Sequence, residues 1–189
     1  ELITNLVIPD NVTSIGNYAF SGCSGLTSIT IPDSVTSIGE STFEYCSSLK
    51  SVTIGKGVTS IGSYLFRSCS SLTSVTMPDS VTSIGSSAFY GCSGLENIYI
   101  QDIAAWCKIS GLTNLMGYGY WPSNKKLYLN NKEVTNLIIP DSVASIGDYA
   151  FSGCSGLTNV TIGKGVTSIG QYAFADCSGL ENIYIQDIA

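Results

Sequence analysis

Histidine is absent from the 189 residues, and charge is scarce, with 12% of positions Asp, Glu, Lys or Arg. Without histidine the usual general base and the commonest metal ligand are gone. No Ser-His-Asp set can form, and no cysteine has an imidazole to activate it. Eight basic residues against 14 acidic ones leave a net charge of −6, which repels a phosphate backbone and argues against nucleic acid. No apolar run approaches the roughly 18 residues that would span a bilayer. No basic and then apolar leader is seen either, so any export signal is expected outside this segment. Scarce charge with 44% apolar residues also excludes intrinsic disorder. The length suits one compact domain or one stretch of repeats.

Repeats are what the chain has in abundance. Leu26, Leu49 and Leu72 each open a 23-residue unit, for example LTSVTMPDSVTSIGSSAFYGCSG from Leu72. Further units open at Ile3, Leu95, Val134, Leu157 and Leu180. The opening alternates apolar and polar residues like a half-buried strand, with Val75 and Met77 inward and Ser74 and Thr76 outward. A Pro-Asp-Ser turn follows at Pro78 to Ser80, and Val81 and Ile84 form a second short apolar step. Gly16, Gly39, Gly62, Gly85, Gly147 and Gly170 share one phase, which implies either positive φ or a close backbone approach. A short helical or 3₁₀ turn is expected around Ala88-Phe89. Phe20, Phe43, Phe66, Phe89, Phe151 and Phe174 recur, each with a cysteine three residues on. One such unit cannot bury its apolar side alone, so the units must stack, like residue on like, with parallel strands. Eight strands at about 4.8 Å predict a rod roughly 38 Å long.

These units resemble the BspA-type leucine-rich repeat, whose consensus L-x-x-[IV]-x-[IV]-P-x-x-[VL]-x-x-I-G-x-x-[AT]-F-x-x-C has about this length. The match rests on the Gly, Phe and Cys positions with their Leu and Val/Ile steps, over about residues 1–100 and 134–189. Leu65 stands where the other full units have Ala or Thr, and Gly55-Lys56 and Gly163-Lys164 replace Pro-Asp. The resemblance implies a leucine-rich-repeat-like solenoid, with a parallel sheet on one side and short strands, turns or helical turns on the other. It also implies an extracellular or cell-surface protein that adheres to host or cell-surface macromolecules.

The expected organisation is a single solenoid. Residues 1–94 form four repeats, 95–133 a long variant unit carrying 16 extra residues, and 134–189 two further repeats and a truncated one. In the long unit, Gln101 to Ile109 reads as a short helix with Ile103, Trp106 and Cys107 on one face. Lys126 to Leu129 and Val134 to Ile139 read as strands around an Asn130-Asn131-Lys132-Glu133 turn. Leu180 to Ala189 repeats Leu95 to Ala104 letter for letter, and Glu1 to Pro9 resembles Glu133 to Pro140. The segment therefore reads as part of a longer array, whose open end needs covering by more chain, a partner or a neighbouring copy.

Six of the seven cysteines share one phase, which reads as a buried thiol ladder rather than disulfides or a metal site. The Gly-Lys-Gly triplets are not phosphate loops, and Asp10, Asp33, Asp79 and Asp141 read as Asx turns. Asn11-Val-Thr13 and Asn159-Val-Thr161 match the glycosylation sequon, which matters only in a eukaryotic secretory product. No catalytic constellation emerges, and no cofactor or metal is expected. The candidate surface is the outward strand strip, with Thr53, Thr76, Asn97, Tyr99 and Tyr184. Tyr118, Tyr120 and Trp121 join it on a Gly- and Pro-bounded loop that offers flat contact area at low entropic cost. The leading expectation is a non-catalytic interaction or adhesion module binding a host or cell-surface protein or glycan. A structural spacer without its own ligand is the alternative, and near-identical units also leave a consensus-like engineered array open.

Overall fold

The computed structural model describes residues 3–117 and 124–186. In chain order the elements are β1 (Ser14–Ile15), β2 (Ser28–Thr30), β3 (Ser37–Ile38), β4 (Ser51–Thr53), β5 (Ser60–Ile61), β6 (Ser74–Thr76), β7 (Ser83–Ile84) and β8 (Asn97–Ile100). They continue as α1 (Ile103–Cys107), α2 (Thr113–Met116), β9 (Lys126–Leu129), β10 (Lys132–Glu133), β11 (Asn136–Ile139), β12 (Ser145–Ile146), β13 (Asn159–Ile162), β14 (Ser168–Ile169) and β15 (Asn182–Ile185).

Each unit is one layer of a solenoid. Its first strand joins a sheet along one side, and its Ser-Ile step forms a short parallel rung on another. The Phe-Cys segment closes the layer through turns rather than the helical turn that the sequence suggests. Pairing is parallel and in register, with Ser28, Ser51, Ser74 and Asn97 in one line and Thr30, Thr53, Thr76 and Tyr99 in the next. Residues between these lines point inward. Leu26, Leu49, Leu72 and Leu95 are fully buried, and Ile29, Val52, Val75 and Ile98 stack beside them. Phe20, Phe43, Phe66 and Phe89 form a column with ring centroids 5.3–5.6 Å apart. At about 25 cal/mol per Å² of apolar surface, no single layer holds such a column, but a stack of layers does.

Of the two explanations for the phased glycines, close approach is realised at Gly39, Gly85 and Gly170, and positive φ at none of the six. Positive φ falls instead two residues later, on Tyr18, Ser41, Tyr64, Ser87, Tyr149 and Tyr172, and again just before each ladder cysteine. A Cβ on Gly85 would lie 2.7 Å from the Ser63 amide nitrogen, whereas one on Gly62 would meet nothing closer than 3.7 Å. The Gly-Lys-Gly triplets have the same cause. A Cβ on Gly55 would lie 2.5 Å from the Pro32 carbonyl oxygen, and Gly57 packs directly on the Asp33 carbonyl.

Two expectations change in the long unit. The strands do not make one continuous stack. They form a six-stranded sheet in the order β10-β9-β8-β6-β4-β2 and a separate three-stranded sheet β11-β13-β15. The hairpin is also tighter than expected, because Asn130 and Asn131 both take positive φ (51° and 65°) and form a two-residue turn. The returning strand is β10, antiparallel to β9, while β11 starts the next sheet. In the first unit, Ile3 to Pro9 form no strand, though Leu6 and Ile8 still pack on the core.

The expected helix is present as α1, capped by Asp102, whose carboxylate accepts the Ala105 amide at 2.6 Å. Ile103, Trp106 and Cys107 are buried together. Trp106 reaches the layer above, where its Nε1–H donates to the Ala150 carbonyl at 2.8 Å. Trp106→Phe leaves that carbonyl without its donor and is expected to cost about 1–3 kcal/mol in urea unfolding. Gly85→Ala is expected to destabilise by about 1–3 kcal/mol through its clash with Ser63, while Gly62→Ala is neutral or stabilising by up to about 1 kcal/mol.

Candidate interaction surface

The outward face of the six-stranded sheet gathers four of the residues singled out in the sequence. Thr53, Thr76 and Tyr99 stand in one line across β4, β6 and β8, and Asn97 lies in the neighbouring line. The line continues onto β9, where Tyr128 pairs with Tyr99. The two rings stack 4.6 Å apart at 19°. Sequence reading missed Tyr128 because the insertion shifts it out of the 23-residue phase. Its signal was the match between Lys126-Leu-Tyr-Leu129 and Asn97-Ile-Tyr-Ile100, both with Tyr third. Beside the pair, the Lys126 ammonium lies 3.5 Å from Glu133, and the Asn124 amide donates to Glu96 at 3.2 Å.

Thr30, Thr53 and Thr76 line a groove of about 620 Å³ whose other wall includes Asp10, Asp33 and Lys56. Hydroxyls along a groove that leads toward a stacked tyrosine pair suit a polar, flat or extended ligand, since aromatic rings offer an apolar body with a polar tip. Two of the turn aspartates also tie one layer to the next. Asp33 accepts the Lys56 amide of the next layer at 2.7 Å, and Asp141 accepts that of Lys164 at 3.0 Å.

Tyr184 does not join this group. It lies on β15 in the three-stranded sheet, exposed and in line with Thr161 and Ile138. An asparagine ladder runs beside it, with Asn182 donating to Asn159 at 2.9 Å and Asn159 to Asn136 at 2.7 Å. The side-chain amide of the second sequon is therefore already engaged. Tyr118, Tyr120 and Trp121 lie outside the described residues.

A second aromatic cluster escaped the sequence reading. The one arginine, Arg67, sits within 6 Å of the ring centres of Tyr45, Tyr64 and Tyr90 and pairs with Glu44 at 3.1 Å. Glu44, Arg67 and Tyr90 share one repeat phase, while Tyr45 and Tyr64 come from two others and are united with them by the layered packing. Lys125 is also buried, and desolvation lowers its ammonium pKa, with the Cys154 thiol and Asp176 opposing that shift.

All seven cysteines are free thiols. They do more than fill space, because Cys46, Cys69, Cys92 and Cys177 each donate to a phenylalanine carbonyl one layer below, at 3.1–3.3 Å. Burial pushes the Cys92 and Cys107 thiols up to about 12. Among the described residues, no group of His, Cys, Asp and Glu is placed to hold a metal ion.

A stack of 23-residue layers, with a parallel sheet on one side and a Phe-Cys column closing each turn, defines a repeat solenoid of the leucine-rich kind. Residues 2–107 and 124–189 match the BspA type leucine rich repeat region in six copies, and the chain belongs to that family. A search of curated proteins returned no match. Among solved structures, the chain is similar to a T. pallidum leucine rich repeat protein, at 23% identity and a TM-score of 0.52, covering 90% of this chain and 72% of that one. Pneumococcal vaccine antigen PcpA matches at 23% identity and a TM-score of 0.53, over 92% of this chain and 42% of that one. A leucine rich cell surface protein of Faecalibacterium prausnitzii is 30% identical, with a TM-score of 0.47, over 93% of this chain and 59% of that one.

Thiols with raised pKa values should resist reagents that need a thiolate. Ellman's reagent at pH 8 is expected to leave Cys69, Cys92, Cys107 and Cys154, whose thiols burial pushes up, unmodified until the chain unfolds. Above about pH 8.5 the unfolded chain loses these protons and the folded one keeps them. Stability should therefore fall as pH rises toward about 12, by about 1.4 kcal/mol per pH unit for each such thiol. Cys92→Ala should lessen that slope in denaturant titrations.

Proposed function

We propose that this chain is a non-catalytic interaction module of a secreted or cell-surface protein, binding a protein or glycan through the face of its six-stranded sheet. The observation that carries this reading is the stacked Tyr99–Tyr128 pair at the end of the hydroxyl groove. Tyrosine is among the residues most enriched in binding hot spots, and rigid solenoid sheets make extended binding faces. Asn97, Thr76 and Thr53 supply polar contacts along the same face, and Tyr184 supplies a separate one on the second sheet. Tyr118, Tyr120 and Trp121 are a further candidate contact set, on the sequence pattern of flat aromatics between Gly and Pro. Membership of the BspA-type repeat family supports the location. No helix among the described residues is long and apolar enough to cross a membrane.

The test is a screen of the chain against matrix proteins, mucins and a glycan array. A Tyr99→Ala/Tyr128→Ala variant and a Tyr118→Ala/Tyr120→Ala/Trp121→Ala variant run alongside. Loss of at least about 30-fold in affinity, about 2 kcal/mol, is expected for the first variant. A hit lost only in the triple variant moves recognition to the loop. No hit from a chain that remains folded by circular dichroism leaves a spacer that holds other domains away from the surface.

A further inference from the structure

The Ser-Ile rungs pair as β1-β3, β5-β7 and β12-β14, and in the long unit one rung is missing altogether. Between the layer of β8 and the layer of β11 the sheet side carries one extra strand, β9, whose chain turns into β10 and makes no rung. Ser110 forms the rung above β7, donating its amide to the Thr82 carbonyl at 2.9 Å. The next rung is β12, and between Ser110 and β12 lies a cleft of about 640 Å³.

The upper wall of this cleft carries donors whose counterparts in most other layers are used, the Thr59 amide excepted. In complete layers the turn serine donates its hydroxyl to the layer below, Ser34 to the Val12 carbonyl at 2.8 Å and Ser80 to that of Val58 at 2.7 Å. Two residues on, the amides of Thr36, Thr82 and Thr167 donate to the carbonyls of Thr13, Thr59 and Ala144, each at 2.9 Å. Ser142 and Ala144 hold these two positions in the cleft wall, and among the described residues neither its hydroxyl nor its amide has an acceptor. The floor between the walls is apolar, formed by Ile109, Leu112 and Val143. The cleft narrows toward Gly147, where a Cβ would lie 3.3 Å from the Cys107 carbonyl oxygen.

We propose that this cleft binds an extended peptide lying parallel to β12, which takes the place of the missing rung. Two consecutive peptide carbonyls accept from the Ser142 hydroxyl and the Ala144 amide, as those of Val58 and Thr59 do for Ser80 and Thr82. The first of these residues is a medium-sized aliphatic one, set on the apolar floor as Val58 is buried in its own layer. An open strand edge is a ready template for such pairing, with main-chain bonds giving affinity and the floor giving selectivity. This site is separate from the sheet face and stands whether or not that face binds anything.

Amide exchange by NMR on the whole chain tests it, with the capped peptide Ser-Val-Thr-Ser-Ile (residues 80–84 of this chain) as ligand and a scrambled peptide as control. In the free protein the Ala144 amide should exchange quickly while those of Thr82 and Thr167 are protected. Adding the peptide should slow Ala144 at least about tenfold. Thr113→Trp, an exposed position on the opposite wall, should abolish the effect, and Ser142→Ala should weaken binding by about 3- to 10-fold. An Ala144 amide already protected in the free chain overturns the proposal. So does binding that leaves Ala144 unprotected or survives Thr113→Trp, or no binding at about 1 mM. Protection of Ala144 by a glycan instead of the peptide overturns the choice of ligand.

Discussion

Every layer of this protein depends on meeting the next in register. A 23-residue unit contributes only a three- or four-residue strand and a two-residue rung, too little to form structure in isolation. Its turns bond within the layer, but its strands and rungs find their backbone partners only in the layers above and below, and buried backbone groups left unpaired would be costly. The register line Thr30-Thr53-Thr76-Tyr99-Tyr128, the phenylalanine column and the thiol-to-carbonyl bonds all express that one constraint. It also explains glycines such as Gly39, Gly85 and Gly170, which stand where the neighbouring layer comes too close for a side chain.

The same constraint makes interruptions informative. The long unit inserts a helix thicker than a strand, and α1 reaches from its own layer to Ala150 in the one above. The chain then adds β9 to the sheet side with no rung to match. A hairpin with two left-handed asparagines ends the first sheet and lets a second begin. The features that distinguish this chain from a uniform rod gather around that interruption: the tyrosine pair, the Lys126–Glu133 pair, the buried Lys125 and the open cleft. A regular array offers the same surface at every layer, and a break supplies the asymmetry that selective recognition needs.

Much of the architecture was legible because a 23-residue period displays the stacked positions directly. Leu on Leu, Phe on Phe and Cys on Cys follow from the phase alone. The burial of Ile103, Trp106 and Cys107 on one helical face followed from their spacing. Tyr128 was not legible, because an insertion removes it from the phase that marks Tyr99. The Arg67 cluster was legible only in part: Glu44, Arg67 and Tyr90 share one phase, but Tyr45 and Tyr64 stand at two other positions and join them only through the packing.

The amino-acid sequence by itself determined the repeat, the inward and outward residues, the parallel stacking and the lack of any histidine-based chemistry, because each follows from local pattern and composition. Tertiary structure alone decided where the stack divides into two sheets, that Tyr184 stands apart from Tyr99, and that a rung is missing above Ser110. Those outcomes depend on how thick an inserted helix is and which strand edge it leaves open, and neither is written in the spacing of residues along one chain.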